Sequence, residues 1–368
     1  MFKRFLIRKA DCDQISLILK SEGFVFTDED VKNLLKGNQK GVRYGNAVLE
    51  RIEEGIKQRR FIKIVLDGTW RTYKLFERQV NITSALHDDN NFSSPTLMVI
   101  KYSLKSPVPY AIFETREDGN GFGFMHDNPA FYESCTEEQI QKLVKVIYKF
   151  HQAGFSIQKN TLKLTRPVSS KIGFYKKEFV KLLDKEITHR SKESKETTGK
   201  VEEFLILYTG MPDIRARLMQ ILEEGFVQVK NSRTNKGFYL VHADMQIDNV
   251  YKHQNGDFEL LDFEWVGRAD NPVVAIMYDY GNLRARAWSS PSFQSMLDKA
   301  MLEVGTSIYP DSTEMVEAGM RLGIVRSSLM MSRYHMDVVN TLKKDKRMEQ
   351  DYFDMYPKSI AALVQGLK

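Results

Sequence analysis

Residues 238–267 constrain this chain more than any other stretch. They read Phe-Tyr-Leu-Val-His-Ala-Asp-Met-Gln-Ile-Asp-Asn-Val-Tyr over 238–251 and Phe-Glu-Leu-Leu-Asp-Phe-Glu-Trp-Val-Gly over 258–267. An apolar run ends at His242, Asp244 follows on an expected loop, and Asn249 comes five positions later. A second apolar run opens at Val250, turns at Asn255-Gly256, returns over 258–261 and ends on Asp262. Short apolar runs bounded by turn residues predict strands. A carboxylate, an amide and a second carboxylate therefore stand at strand ends. Phosphoryl transfer needs a base for an acceptor hydroxyl and two oxygen ligands for Mg²⁺, and these three residues supply those parts in order.

The 368 residues are enough for two lobes and a sizeable core. No apolar run approaches the roughly 20 residues that a membrane span requires. The basic segment 1–9 has too short an apolar centre for a signal peptide. Two cysteines, Cys12 and Cys135, make neither a disulfide framework nor a zinc site. Both read as thiols in a reducing compartment, so the expected location is the cytoplasm. Net charge is +6, and residues 159–200 alone carry a surplus of about seven positive charges. A solvated helical face accounts for that surplus, and a positive rim for an anionic substrate or surface is the sharper alternative. No basic stripe interleaved with aromatics is present, so nucleic acid is not an expected partner.

The pattern up to residue 114 is mostly strands with one or two helices. Strands are expected over 42–52, 60–66, 97–102 and 110–113, with a turn at Glu53-Glu54-Gly55 and a helix over 74–86. A glycine-rich segment at 118–123 precedes a change to helical spacing. Thr136 with Gln139 forms a capping-box signature, Ile140, Leu143, Val144 and Ile147 follow at helical spacing, and Gly154 fits the stop. Further helices are expected over 176–187, 201–208 and 214–224, with a polar loop at 191–198 and helical pattern from 292 onward. A small strand-rich lobe, 1–114, thus precedes a larger helical lobe, 115–368. A cleft between two lobes is a common place for a nucleotide.

Within the first lobe, Lys63 lies inside the apolar run 61–66 and needs a partner or a function. Glu77, on the helix that follows, is the only acidic residue between Asp67 and Asp88. A Lys63–Glu77 pair directed at nucleotide phosphates explains both, whereas an edge-strand lysine facing solvent explains only the first. Gly37 and Gly41 are placed to let the backbone approach phosphates. Gly119-Asn120-Gly121-Phe122-Gly123 lacks the strand-to-helix context of a phosphate loop and reads as a turn. His242 is expected to brace the loop through its imidazole, and His151 to be a packed core residue.

Residues 242–249, His-Ala-Asp-Met-Gln-Ile-Asp-Asn, resemble the His-Gly-Asp-Leu-His-x-x-Asn catalytic loop of the phosphotransferase enzyme family, which includes the aminoglycoside phosphotransferases and choline kinases. Asp262-Phe263-Glu264 resembles that family's metal motif. The resemblance implies an α+β, two-lobed protein-kinase-like fold, with a small N-terminal antiparallel-sheet lobe and a larger, mainly helical C-terminal lobe. It implies ATP or GTP as donor, Mg²⁺, and a small-molecule hydroxyl as acceptor. Asp244 would be the catalytic base, and Asn249 and Asp262 the metal ligands. Lys63 and Glu77 would match the nucleotide lysine and its helix partner. Glu114 and Arg116 would be contacts at a purine-binding hinge over 110–116, and Asp270 and Asp279 would match the acidic positions after the metal motif. Ala243 and Gln246 depart from the family's usual glycine and histidine. Neither change removes a reacting group.

The leading expectation is therefore a Mg²⁺-dependent kinase acting on an aminoglycoside-, choline- or sugar-like hydroxyl. The basic segment 159–200 weighs against a polycationic aminoglycoside. An inactive nucleotide-binding pseudokinase or scaffold is the alternative, although it would normally have lost one of the residues above. A lipopolysaccharide-type or protein kinase is a third reading. The acceptor and the oligomeric state are not legible.

Overall fold

The computed structural model describes residues 9–36, 43–89, 92, 98–115, 132, 134–190, 196–232, 237–253, 256–287, 290–310 and 312–341. Gly37, Gly41, Arg116 and the glycine-rich 119–123 lie outside them.

An antiparallel sheet organises the first lobe. β2 (Tyr44–Glu53) and β3 (Ile56–Val65) form a hairpin in register. Its turn residues Glu54 and Gly55 have φ of 50° and 82°. Paired positive values match the twist of the flanking strands. β1 (Phe24–Val25), β4 (Val99–Ser103) and β5 (Tyr110–Glu114) complete the order β1-β2-β3-β5-β4. β3 is thus a central strand, and the edge-strand explanation of Lys63 fails. Strand alternation sorts its residues between two cores. Ile62 and Ile64 pack with α1 (Cys12–Ser21) and α2 (Asp28–Lys36). Phe61 and Val65 pack on the other face with Phe76 and Val80 of α3 (Trp70–His87). Lys63 shares the parity of that second face and is only 6 % exposed.

The helix expected over 74–86 starts four residues earlier. Thr69 is its cap: the Thr72 N–H donates to Thr69 Oγ1 at 3.2 Å, and Asp67 Oδ1 accepts from Thr69 N–H at 3.0 Å. The far end of α3 leaves the first lobe, and Ile82 and Leu86 are buried in the core of the second.

That second lobe is mainly helical. α4 (Glu137–Ala153) carries the expected capping box, with Gln139 N–H donating to Thr136 Oγ1 and Thr136 N–H to Gln139 Oε1. Gly154 ends it against the chain at Phe238, where an added Cβ would lie 2.1 Å from the Phe238 carbonyl oxygen. The short α5 (Lys159–Leu162) and β6 (Arg166–Pro167) follow. α6 (Ile172–Leu183) buries Tyr175, Phe179, Leu182 and Leu183 and leaves Lys171, Lys177 and Lys181 exposed around it. This is the solvated face that the local charge surplus suggested.

The segment expected to continue helical to 187 instead leaves α6 and forms β7 (Glu186–Arg190), paired with β8 (Glu196–Lys200). The polar stretch 191–198 is therefore partly strand. α7 (Val201–Thr209) and α8 (Ile214–Asn231) follow, the latter a full two turns longer than its pattern suggested. β9 (Tyr239–Val241), β10 (Val250–Lys252), β11 (Phe258–Leu260) and β12 (Gly267–Ala269) are short. β10 and β11 form a hairpin, and β12 lies between β6 and β9. α9 (Pro272–Arg286), α10 (Pro291–Ile308) and α11 (Thr313–Thr341) close the described chain. α9 and α11 touch backbone to backbone: a Cβ on Gly281 would meet the Gly323 carbonyl oxygen at 2.4 Å.

The arrangement is the expected α+β one, with an antiparallel-sheet lobe followed by a mainly helical one. Among the described residues no helix is long and apolar enough to cross a membrane.

Candidate active site

β9 delivers the loop 242–249, and the β10–β11 hairpin delivers Asp262 beside it. Hairpin register sets the juxtaposition. Val250 pairs with Leu260, and the Leu261 N–H donates to the Asn249 carbonyl at 2.9 Å. Asn249 and Asp262 therefore leave adjacent strand ends together. Asn249 Nδ2 donates to the Asp244 carbonyl oxygen at 2.7 Å and lies 3.5 Å from Asp244 Oδ2. The three residues read from the sequence are thus assembled by main-chain hydrogen bonds as well as by proximity.

Two of the three non-glycine residues with positive φ among the described residues are in this site, Ala243 at 64° and Asp262 at 58°. A side chain in the left-handed region costs roughly 1–2 kcal/mol. Such conformations persist where surrounding bonds enforce them. At Ala243 the enforcement is visible. Asp279 on α9 is fully buried, and its carboxylate accepts from the His242 and Ala243 N–H groups, both at 2.9 Å, while His151 Nε2 donates to it at 2.9 Å. One helical turn on, Asn282 Nδ2 donates to the Ala243 carbonyl at 3.2 Å, and Ser327 Oγ of α11 donates to Asn282 Oδ1 at 3.1 Å. The left-handed backbone at Ala243 also explains why glycine suits this position in the family's loop.

His242 has the bracing role expected of it. Its Nε2 donates to the Leu261 carbonyl at 2.7 Å. A carbonyl can only accept, so the proton sits on Nε2, and that nitrogen is not available as a base. His151 is buried as expected, but it is an anchor for Asp279 rather than a packing residue alone.

From the first lobe, Lys63 Nζ donates to Gln79 Oε1 at 2.7 Å and to Glu264 Oε1 at 2.8 Å, and reaches Asp262 Oδ1 at 3.3 Å. It also lies 4.3 Å above the Tyr44 ring. Burial pushes the Lys63 ammonium to lose its proton, but Asp262 and Glu264 outweigh it and hold its pKa above the usual lysine value. The expected Lys63–Glu77 pair is not formed. Glu77 and Gln79 are two residues apart on a helix, about 200° around its axis. α3 turns Gln79 inward, and Glu77 pairs with Lys74 at 2.6 Å instead. Glu114 ends β5 half-buried, its N–H spent on the Met98 carbonyl at 3.0 Å. Arg116 lies outside the described residues.

Burial raises the Asp244 carboxyl above its ordinary pKa, and the nearby Asp262 charge adds to the shift. A carboxylate so raised is a stronger base than one in water. The donor set also fits a magnesium ion. Mg²⁺ takes oxygen ligands, keeps several waters and needs only one or two protein groups beside nucleotide phosphates. Asn249 spends its amide nitrogen on Asp244 and keeps its oxygen, while the Asp262 side chain is 37 % exposed. Among the described residues no cluster of three or more acidic, His or Cys side chains forms an all-protein cage.

Sequence reasoning missed Gln79, Asn282, Ser327 and the contact made by Glu264. The Asp279/Asn282 pair at i,i+3 was a usable signal, because two polar residues on one face of an otherwise apolar helix point at the same object.

No protein-family model and no curated protein matches this chain. Solved structures do resemble it. They include a spectinomycin phosphotransferase in complex with ADP and spectinomycin (14 % identity, 96 % of this chain and 98 % of that one, TM-score 0.48). A choline kinase from Streptococcus pneumoniae has 12 % identity, covers 95 % of this chain and 97 % of its own, and has a TM-score of 0.47. An ethanolamine kinase from Plasmodium vivax has 12 % identity, covers 99 % and 95 %, and has a TM-score of 0.45. These structural neighbours are kinases and phosphotransferases. At such identities the likeness is one of fold, and the functional reading rests on the site's own residues.

Proposed function

We propose that this protein is a Mg²⁺-dependent phosphotransferase that moves the γ-phosphoryl group of ATP or GTP to a hydroxyl of a small molecule. One observation carries the reading: a buried lysine of the sheet lobe and a partly exposed aspartate of the helical lobe meet at 3.3 Å, beside Asn249 and Asp244 on the adjoining loop. In this reading Lys63 binds the α- and β-phosphates. Asn249 and Asp262 hold Mg²⁺, which when bound neutralises phosphate charge. Asp244 orients the acceptor hydroxyl and takes its proton. The acceptor oxygen forms a bond to the γ-phosphorus as the bridging P–O bond breaks, and the nucleoside diphosphate leaves. Catalysis of this kind is mostly positioning and charge stabilisation, which suits a loop whose backbone is bonded at 242, 243 and 249.

The test is nucleotide turnover with Mg²⁺ and ATP or GTP across amino sugars, choline-like alcohols, sugars and nucleosides. Acceptor-dependent formation of nucleoside diphosphate is expected. Tight nucleotide binding with no turnover on any acceptor would replace this reading with that of a nucleotide-binding scaffold.

A further inference from the structure

Lys63 is neutralised from the opposite lobe. The residue that α3 turns toward it is Gln79, a neutral amide at 2.7 Å. The one acidic residue of α3, Glu77, is bound to Lys74. An amide orients an ammonium but does not balance its charge, and a buried ammonium without a counter-charge either loses its proton or leaves for water.

Two carboxylates are in reach, and they differ. Glu264 lies 2.8 Å away, and the two side chains of that pair are each 7 % exposed. Asp262 is at 3.3 Å and 37 % exposed. The short, dry pair is Lys63–Glu264, and the long, wet one is Lys63–Asp262. Glu264 is also fixed from behind. Arg78 of α3 donates to the Glu264 carbonyl oxygen from one guanidinium nitrogen and to the Leu164 carbonyl from another, both at 2.7 Å. Arg78 and Gln79 thus fasten α3 to both ends of the Lys63–Glu264 pair.

We propose that Glu264 is the positioning residue of Lys63: it supplies, from the metal motif of the helical lobe, the counter-charge that α3 does not carry, and so leaves Asp262 to face the nucleotide's metal. This inference rests on the phosphotransfer reading above. Without Glu264 the only carboxylate left to Lys63 among the described residues is Asp262, so the lysine and the metal compete for one side chain. The loss therefore falls on nucleotide affinity. A residue that supports a ligand from behind is commonly worth about 10–100-fold in affinity or activity.

The experiment is calorimetric binding of MgATP and MgGTP to the full chain, its E264Q variant and the Q79E/E264Q double variant. E264Q is expected to bind the nucleotide that wild type prefers at least about tenfold more weakly. Q79E, which restores a carboxylate within 2.7 Å of Nζ, is expected to recover most of that loss, a rescue that a purely structural role for Glu264 would not produce. Wild-type affinity in E264Q overturns the assignment, as does a loss that Q79E leaves in full. A wild-type chain that binds neither nucleotide overturns the phosphotransfer reading itself, and this inference with it.

Discussion

Asp244 is the proposed base, and its neighbour Ala243 shows how the loop is held. A side chain at φ 64° is strained, and glycine would relieve that strain while loosening the unfolded chain. Ala243→Gly should therefore keep turnover and raise unfolding free energy by up to about 1 kcal/mol. Chemical denaturation checks it, and a clear drop in stability would mean that the Ala243 methyl packs usefully. Asp262→Ala removes one of the two proposed metal ligands and should weaken Mg²⁺–nucleotide binding itself. Unchanged affinity in a titration would remove Asp262 from the metal site. The carboxylates and amide of the site were legible in the sequence because they stand beside the ends of short apolar runs. The partner of Lys63 was not. Glu77 and Gln79 differ only in the phase of α3, which the Thr69 cap and the burial of Phe76 and Val80 set together.

At the scale of elements, α9 is the splint of the loop. It is buried on most sides, with Asp279, Tyr280 and Gly281 all inaccessible. That burial hid it from periodicity arguments, which depend on a polar face. The helical lobe was legible at its starts, where Thr136 and Gln139 cap α4, and less so at its ends. Nothing local told α6 to stop at Leu183 and give way to the β7–β8 pair. Two predictions belong here. Asp279→Ala strips three donors of one acceptor, two of them backbone groups, and should destabilise the protein by about 3 kcal/mol or more. A thermal midpoint close to wild type would show that the donors find other partners. Gly281→Ala drives a methyl into the Gly323 backbone. Overpacking of this kind costs about 1–3 kcal/mol, and by moving α9 it should lower turnover more than it weakens nucleotide binding. Equal losses in both would argue that α9 does not set the Asp244 loop.

For the whole molecule, the lobes are joined by the residues proposed to hold the nucleotide. Lys63 of the first, held by Gln79, meets Asp262 and Glu264 of the second, and Arg78 adds two main-chain contacts across the same seam. Of Lys63, Asp262 and Glu264, the proposed metal ligand Asp262 is the most exposed. We propose that Asp244 is the base of a phosphoryl transfer and not a support for the loop. That role is tested most directly by comparing wild type with Asp244→Asn, an isosteric change, for Mg²⁺–nucleotide affinity and for single-turnover transfer to an accepted alcohol. Unchanged affinity and a rate lower by about 10²–10⁴-fold are expected. An Asp244→Asn protein that transfers phosphate at the wild-type rate would contradict it.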